Sequence, residues 1–87
     1  MEKGNKEEIL DNLKSIINET FKINRDAVDF DTLLFNGGLN LSSIQLLELT
    51  VSIETFYDAE FDGDMLTEEN FKDISALINV IAENFTK

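Results

Sequence analysis

The chain has 87 residues and carries 7 Lys and Arg against 18 Asp and Glu, a formal net charge of −11. That length holds one domain, whose core supplies on the order of a few kcal/mol of folding free energy. With no Cys and no His, a disulfide framework, a Cys/His zinc site and any Ser-His-Asp or Cys-His catalytic arrangement are excluded, so the fold must rest on apolar packing.

Residues 1–6 are polar and are expected as a flexible tail ahead of a single domain over 7–87. They hold neither a signal-peptide apolar region nor a bilayer-length span, which points to a cytoplasmic protein that does not engage a membrane. Ile9, Leu13, Ile16, Ile17 and Phe21 recur at helical spacing, so an amphipathic helix is predicted from Glu7 to about Thr20. From Phe21 to Leu41 the periodicity fails and Gly37-Gly38 intervenes, predicting a long loop pinned to the core by Val28, Phe30, Leu33, Leu34 and Phe35. A second helix is predicted from Ser43 to Tyr57. Its residues Ile44, Leu46, Leu47, Leu49, Val51, Ile53 and Phe56 leave few polar positions, so it is expected to be substantially buried. Thr67 to Phe71 is read as a short helical turn. Ile74, Leu77, Ile78, Ile81, Ala82 and Phe85 define a last helix with Asp73 as N-cap. No strand signal competes and no repeat appears. The expected class is all-α: a four-helix bundle of three longer helices and one short one, with a long loop between the first two.

Charge is distributed unevenly, because the stretch from Asp26 to Phe71 carries acids and no Lys or Arg. Such a surface repels a phosphate backbone and attracts basic protein patches, so nucleic acid is not an expected partner. Adjacent acids such as Glu68 and Glu69 point in different directions from a helix and read as surface charges rather than an acid–base pair. An independent enzyme is not expected.

The start of the second helix is more informative. Ser42 followed three residues later by Gln45 is a capping box, which makes Ser42 the N-cap and Ser43 the first helical residue. Ser43 is then exposed beside unsatisfied N–H groups and the positive end of the helix dipole, where a phosphate ester is favoured.

The segment Leu39-Asn-Leu-Ser-Ser43-Ile-Gln-Leu-Leu-Glu48-Leu-Thr-Val-Ser-Ile53-Glu54-Thr-Phe-Tyr57 resembles the attachment motif of the acyl carrier proteins, in which an Asp-Ser-Leu triplet opens the second helix. Ser43 falls on the modified serine, Ile44 on the apolar residue after it, Glu48-Leu49 and Ile53-Glu54 on the later acid and apolar positions, and Tyr57 on the closing aromatic. Moving the register to Ser42 loses these matches. The order of elements along nearly the whole chain resembles an acyl-carrier-like four-helix bundle. The resemblance implies a stand-alone carrier of acyl or aminoacyl cargo, and covers fatty acid, polyketide and nonribosomal peptide biosynthesis alike. A phosphopantetheinyl transferase would move phosphopantetheine from coenzyme A to Ser43, and the imported thiol would hold cargo as a thioester, which accounts for a carrier without Cys. Partners would be that transferase, an acyl- or aminoacyl-loading ligase, and downstream synthase enzymes with basic docking patches, met by a monomer. Ser42, Ile44, Glu48 and Glu54 are the expected partner-binding residues. The family has Asp where this chain has Ser42, which removes a charge that the transferase normally meets and implies slow or specialised modification.

A different class of function competes for the segment after the second helix. Asp58, Glu60, Asp62, Asp64 and Glu69, with Gly63 at the sixth position, nearly fit the twelve-residue calcium loop of an EF-hand. Leu66 offers no side-chain oxygen at the ninth position, and Glu60 is bulky for the third.

Overall fold

The structure is a computed structural model that describes residues 5–85. Among the described residues three α-helices are present: α1 over Lys6–Phe21, α2 over Ser43–Tyr57 and α3 over Ile74–Asn84. The first four residues of the expected tail lie outside the described residues. Asn5 caps α1, its Oδ1 accepting from the N–H groups of Glu7 and Glu8 at 3.0 and 3.2 Å. Lys22 ends α1 in the left-handed region with φ 62°, and its N–H donates to Asn18 O.

Helix α1 is the one against which both other helices pack. Its buried stripe of Ile9, Leu10, Leu13, Ile16 and Ile17 meets Leu49 and Ile53 of α2 and Ile74, Leu77, Ile78 and Ile81 of α3 in one core. Arg25 secures the chain just beyond α1: its guanidinium donates to Ser15 Oγ and pairs with Asp11, both on α1.

Between α1 and α2 the chain is irregular but held by backbone hydrogen bonds. A 3-10 turn over Arg25–Ala27 follows Asn24, which caps it through Asp26 N–H at 2.8 Å. Val28 and Leu34 are buried as expected, whereas Phe30 and Leu33 stay exposed. The loop instead holds its place by pairing with the approach to α3. Leu34 N–H donates to Lys72 O at 3.1 Å, Ile74 N–H to Thr32 O at 2.9 Å and Ser75 N–H to Phe30 O at 2.8 Å. The last two donors belong to the first turn of α3 and have no partner within the helix, so the loop carbonyls complete that end.

The expected short helix over Thr67–Phe71 is not formed. A 3-10 turn occupies Gly63–Met65, and a single turn closes with Phe71 N–H on Glu68 O at 3.2 Å. Local side chains compete with the helix there: Asn70 N–H donates to Thr67 Oγ1, and Asn70 Nδ2 donates to Met65 O at 3.0 Å.

Helix α2 also departs from expectation. Only Leu49, Thr50 and Ile53 are buried, and Ile44, Leu47, Val51 and Phe56 are 72%, 64%, 52% and 51% exposed. Its apolar residues cover two opposite faces, and a bundle of three helices buries one of them.

Gly38 allows the loop to close. A Cβ there would overlap the carbonyl of Leu33, the residue that bridges to Asp73, whereas a Cβ at Gly63 would meet nothing. Gly38→Ala should therefore cost about 1–3 kcal/mol and lower Tm by at least about 5 °C, with Gly63→Ala nearly neutral, as calorimetry would register.

Tyr57 joins α2 to α1, accepting from Asn12 Nδ2 at 3.0 Å. Burial raises its phenol above the usual 10.0, and Glu8 adds to that rise. Ionisation is thus less favourable in the folded state than in the unfolded one. The associated stability is complete below about pH 10 and is lost as pH rises through the raised value. Between about pH 9 and 11, Tm should fall more steeply for the wild type than for Tyr57→Phe, whose ring cannot ionise.

Candidate functional site

Ser43 opens α2, and the geometry of its neighbours follows from the N-cap. Ser42 Oγ accepts from Gln45 N–H at 3.2 Å, while Gln45 Oε1 accepts from Ser42 N–H at 2.9 Å, a complete capping box. Leu41, immediately before the cap, is buried, and its N–H donates to Leu34 O at 2.9 Å. The chain is thus fixed up to the residue before Ser43. Ser43 is exposed, and its hydroxyl has no hydrogen-bond partner among the described residues. The N–H groups of Ser43 and Ile44 likewise have no acceptor there, which leaves the partial positive charge of the helix start open beside the hydroxyl.

A groove of about 420 Å³ runs from Ser43, lined on α2 by Leu46, Leu47 and Thr50 and on the far side by Phe35, Leu66 and Phe71. Most of these walls are apolar, and the volume falls within the range of small-molecule sites. Ser43, Leu46, Leu47 and Thr50 repeat at helical spacing, so the α2 wall is visible in the sequence once Ser43 is singled out. Leu66 and Phe71 carry no such signal, because the irregular segment before α3 brings them to the groove.

The other expected site residues fall out differently. Ile44 is the most exposed large apolar residue on α2. Glu48 is exposed and without a partner among the described residues. Glu54 is half-buried, and its Oε2 accepts from Phe61 N–H at 2.9 Å, so this carboxylate anchors the segment that leaves α2. Asp58 takes a left-handed conformation with φ 54° as the C-cap of α2. Among the described residues, no group of three or more acidic side chains is arranged to hold a metal ion, so Asp58, Glu60, Asp62, Asp64 and Glu69 do not form a calcium loop. The flanking pattern is absent too, since α3 begins only at Ile74. No helix among the described residues is long and apolar enough to cross a membrane.

Comparison with known proteins agrees with this geometry. Residues 11–81 match the family of phosphopantetheine attachment sites. The chain is 29% identical over 83 residues to an acyl carrier protein of Coprothermobacter proteolyticus, covering 94% of this chain and 98% of that protein. It is 27% identical over 78 residues to an acyl carrier protein of Petrotoga mobilis, covering 90% and 88%. An exposed serine at a helix start, an adjoining apolar groove and the match across the bundle converge: the chain belongs to the acyl carrier protein family, whose members are carriers with a covalent phosphopantetheine group and not enzymes.

Proposed function

We propose that Ser43 is the attachment residue, and that the chain presents acyl or aminoacyl intermediates to the enzymes of a biosynthetic pathway in the cytoplasm. The observation that carries this reading is the position of Ser43, an exposed and unpartnered hydroxyl at the first residue of α2 on the rim of an apolar groove. The attached group supplies a terminal thiol that holds cargo as a thioester. The chain's own residues do the positioning. Ser42 and Gln45 hold the first turn of α2, so the hydroxyl is presented in one orientation to a phosphopantetheinyl transferase. The free N–H groups of Ser43 and Ile44 favour the negative phosphodiester that would lie next to them. Leu46, Leu47 and Phe71 offer an apolar lining that keeps water from one side of a small cargo. Loading ligases and synthases would meet Ser42, Ile44 and Glu48 around the arm. Basic patches on those enzymes are favoured by a segment from Asp26 to Phe71 without a base. Glu54 contributes to that field, although its carboxylate is also bonded to Phe61 N–H.

Intact-mass measurement tests the assignment. Incubation with coenzyme A and a broad-specificity phosphopantetheinyl transferase should add one phosphopantetheine group to the wild type and to Ser42→Ala, and none to Ser43→Ala. Addition to Ser43→Ala would refute the site.

Ser42 stands where the family has Asp, and its side chain caps α2 at little structural disadvantage. Restoring the charge by Ser42→Asp should speed transfer by such an enzyme through a lower KM, most clearly at low salt, with Tm almost unchanged. An equal or slower rate would mean that the serine is no handicap to recognition.

A further inference from the structure

Asn36 alone among the asparagines is followed by glycine, Gly37. An asparagine carboxamide is open to attack by the main-chain nitrogen that follows it, and a glycine there has no side chain to block the approach. Asn36 is exposed, and its side chain has no hydrogen-bond partner among the described residues. The carboxamide is therefore free to turn towards Gly37 N. The same turn restrains the attacking nitrogen. Gly37 N–H donates to Asn40 Oδ1 at 3.2 Å, and Gly37 and Asn40 both lie at positive φ, 90° and 55°. Ring closure removes the Gly37 proton, so it requires that this hydrogen bond first break. An amide oxygen is too weak a base to take the proton away, and Asn40 acts as a brake.

We propose that Asn36 is a self-modification site restrained by Asn40: the chain converts there, without an enzyme, to aspartate and isoaspartate, and the isoaspartyl form presents Ser43 poorly. In the first step Gly37 N bonds to Asn36 Cγ, and the Gly37 proton leaves with the side-chain amino group as ammonia, closing a succinimide. Water then opens the ring. Addition at Cγ breaks the new bond and leaves aspartate. Addition at the main-chain carbonyl carbon breaks the original peptide bond and leaves isoaspartate, with the chain running through Cβ and Cγ.

The isoaspartyl product lengthens the backbone by one carbon where the loop has no slack. Phe35 O accepts from the N–H groups of Gly38 and Asn40 at 3.1 and 3.0 Å, and Leu33 O accepts from Leu39 N–H at 2.8 Å. Gly38 lies so close to the Leu33 carbonyl that even a Cβ would overlap it. The lengthened chain gives up part of this pairing, which holds Phe35 on the groove wall and leads directly into Leu41 and the cap of α2. The conversion itself is independent of what the chain does, whereas its effect at Ser43 rests on the carrier reading.

The test incubates the full chain for days in mildly alkaline buffer and follows each asparagine by intact mass and peptide fragmentation. The amide-to-acid mass gain should appear first at Asn36, with isoaspartate among the products. Isomerisation at Asp62-Gly63 changes no mass and does not register. Asn40→Gly removes the acceptor but tolerates the positive φ, and it should speed the gain about two- to tenfold with Tm within a few degrees. Asn40→Asp supplies a carboxylate oxygen to the same N–H and should convert no faster than the wild type. A gain that comes first at another asparagine, equal rates in the wild type and Asn40→Gly, or an Asn40→Asp as fast as Asn40→Gly would each overturn the inference. The isoaspartyl fraction, isolated by chromatography, should accept phosphopantetheine at least about threefold more slowly than Asn36→Asp, which has the same charge and an unlengthened chain. Equal rates would overturn the link to Ser43. A wild type that accepts no phosphopantetheine would instead overturn the carrier reading and that link with it, while the mass gain still decides the modification.

Discussion

The placement of Ser43 depends on the few residues before it. Leu41 is buried and bonded to Leu34, Ser42 closes a reciprocal cap with Gln45, and Leu46 one turn later packs against the same core. Apolar residues just before the cap and at the fourth helical position are where a hydrophobic staple acts, fixing the angle at which the chain enters a helix. A core residue and a cap thus flank one serine, which has no freedom to turn inward. Ser43 is exposed because its predecessors are committed.

The loop from Lys22 to Ser42 is long, yet it is structural rather than loose. Its carbonyls at Phe30 and Thr32 accept from the first N–H groups of α3, and Leu34 donates back to Lys72. A helix as short as α3, Ile74–Asn84, is marginal alone, and its first turn is supported both by Asp73 and by this loop. The same pairing holds Phe35 on the groove wall opposite α2. Stability and site geometry therefore share one set of hydrogen bonds.

Helix α2 divides its apolar residues between two uses. Leu49 and Ile53 are fully buried against the bundle, where each such side chain is worth about 1.5–3 kcal/mol. Ile44, Leu47 and Val51 forgo that gain and remain open to solvent, which a small domain tolerates only if the remaining core is well filled. Here it is, since α1 and α3 contribute ten buried aliphatic residues between them: Ile9, Leu10, Leu13, Ile16, Ile17, Ile74, Leu77, Ile78, Val80 and Ile81.

Much of the fold was legible in the chain. Helical periodicity located α1 and α3 to within about a residue at their starts, and the spacing of Ser42 and Gln45 identified the cap and the exposure of Ser43, because these signals are local. The short helix before α3 was misread: Thr67 and Asn70 offer side-chain bonds that displace the helical ones, and spacing of apolar residues is blind to that competition. The apparent calcium loop failed for a related reason, since a pattern of acids along the chain does not make them converge. Only tertiary structure decided which side of α2 faces water. Both of its faces are apolar, so composition and period favour neither, and the choice falls to the positions of α1 and α3, which accept Leu49 and Ile53 and leave Ile44, Leu47 and Val51 outside. Glu54 was likewise settled by its neighbours: the chain turns back after Asp58 and brings Phe61 N–H to a carboxylate that helical position alone would have left in solvent.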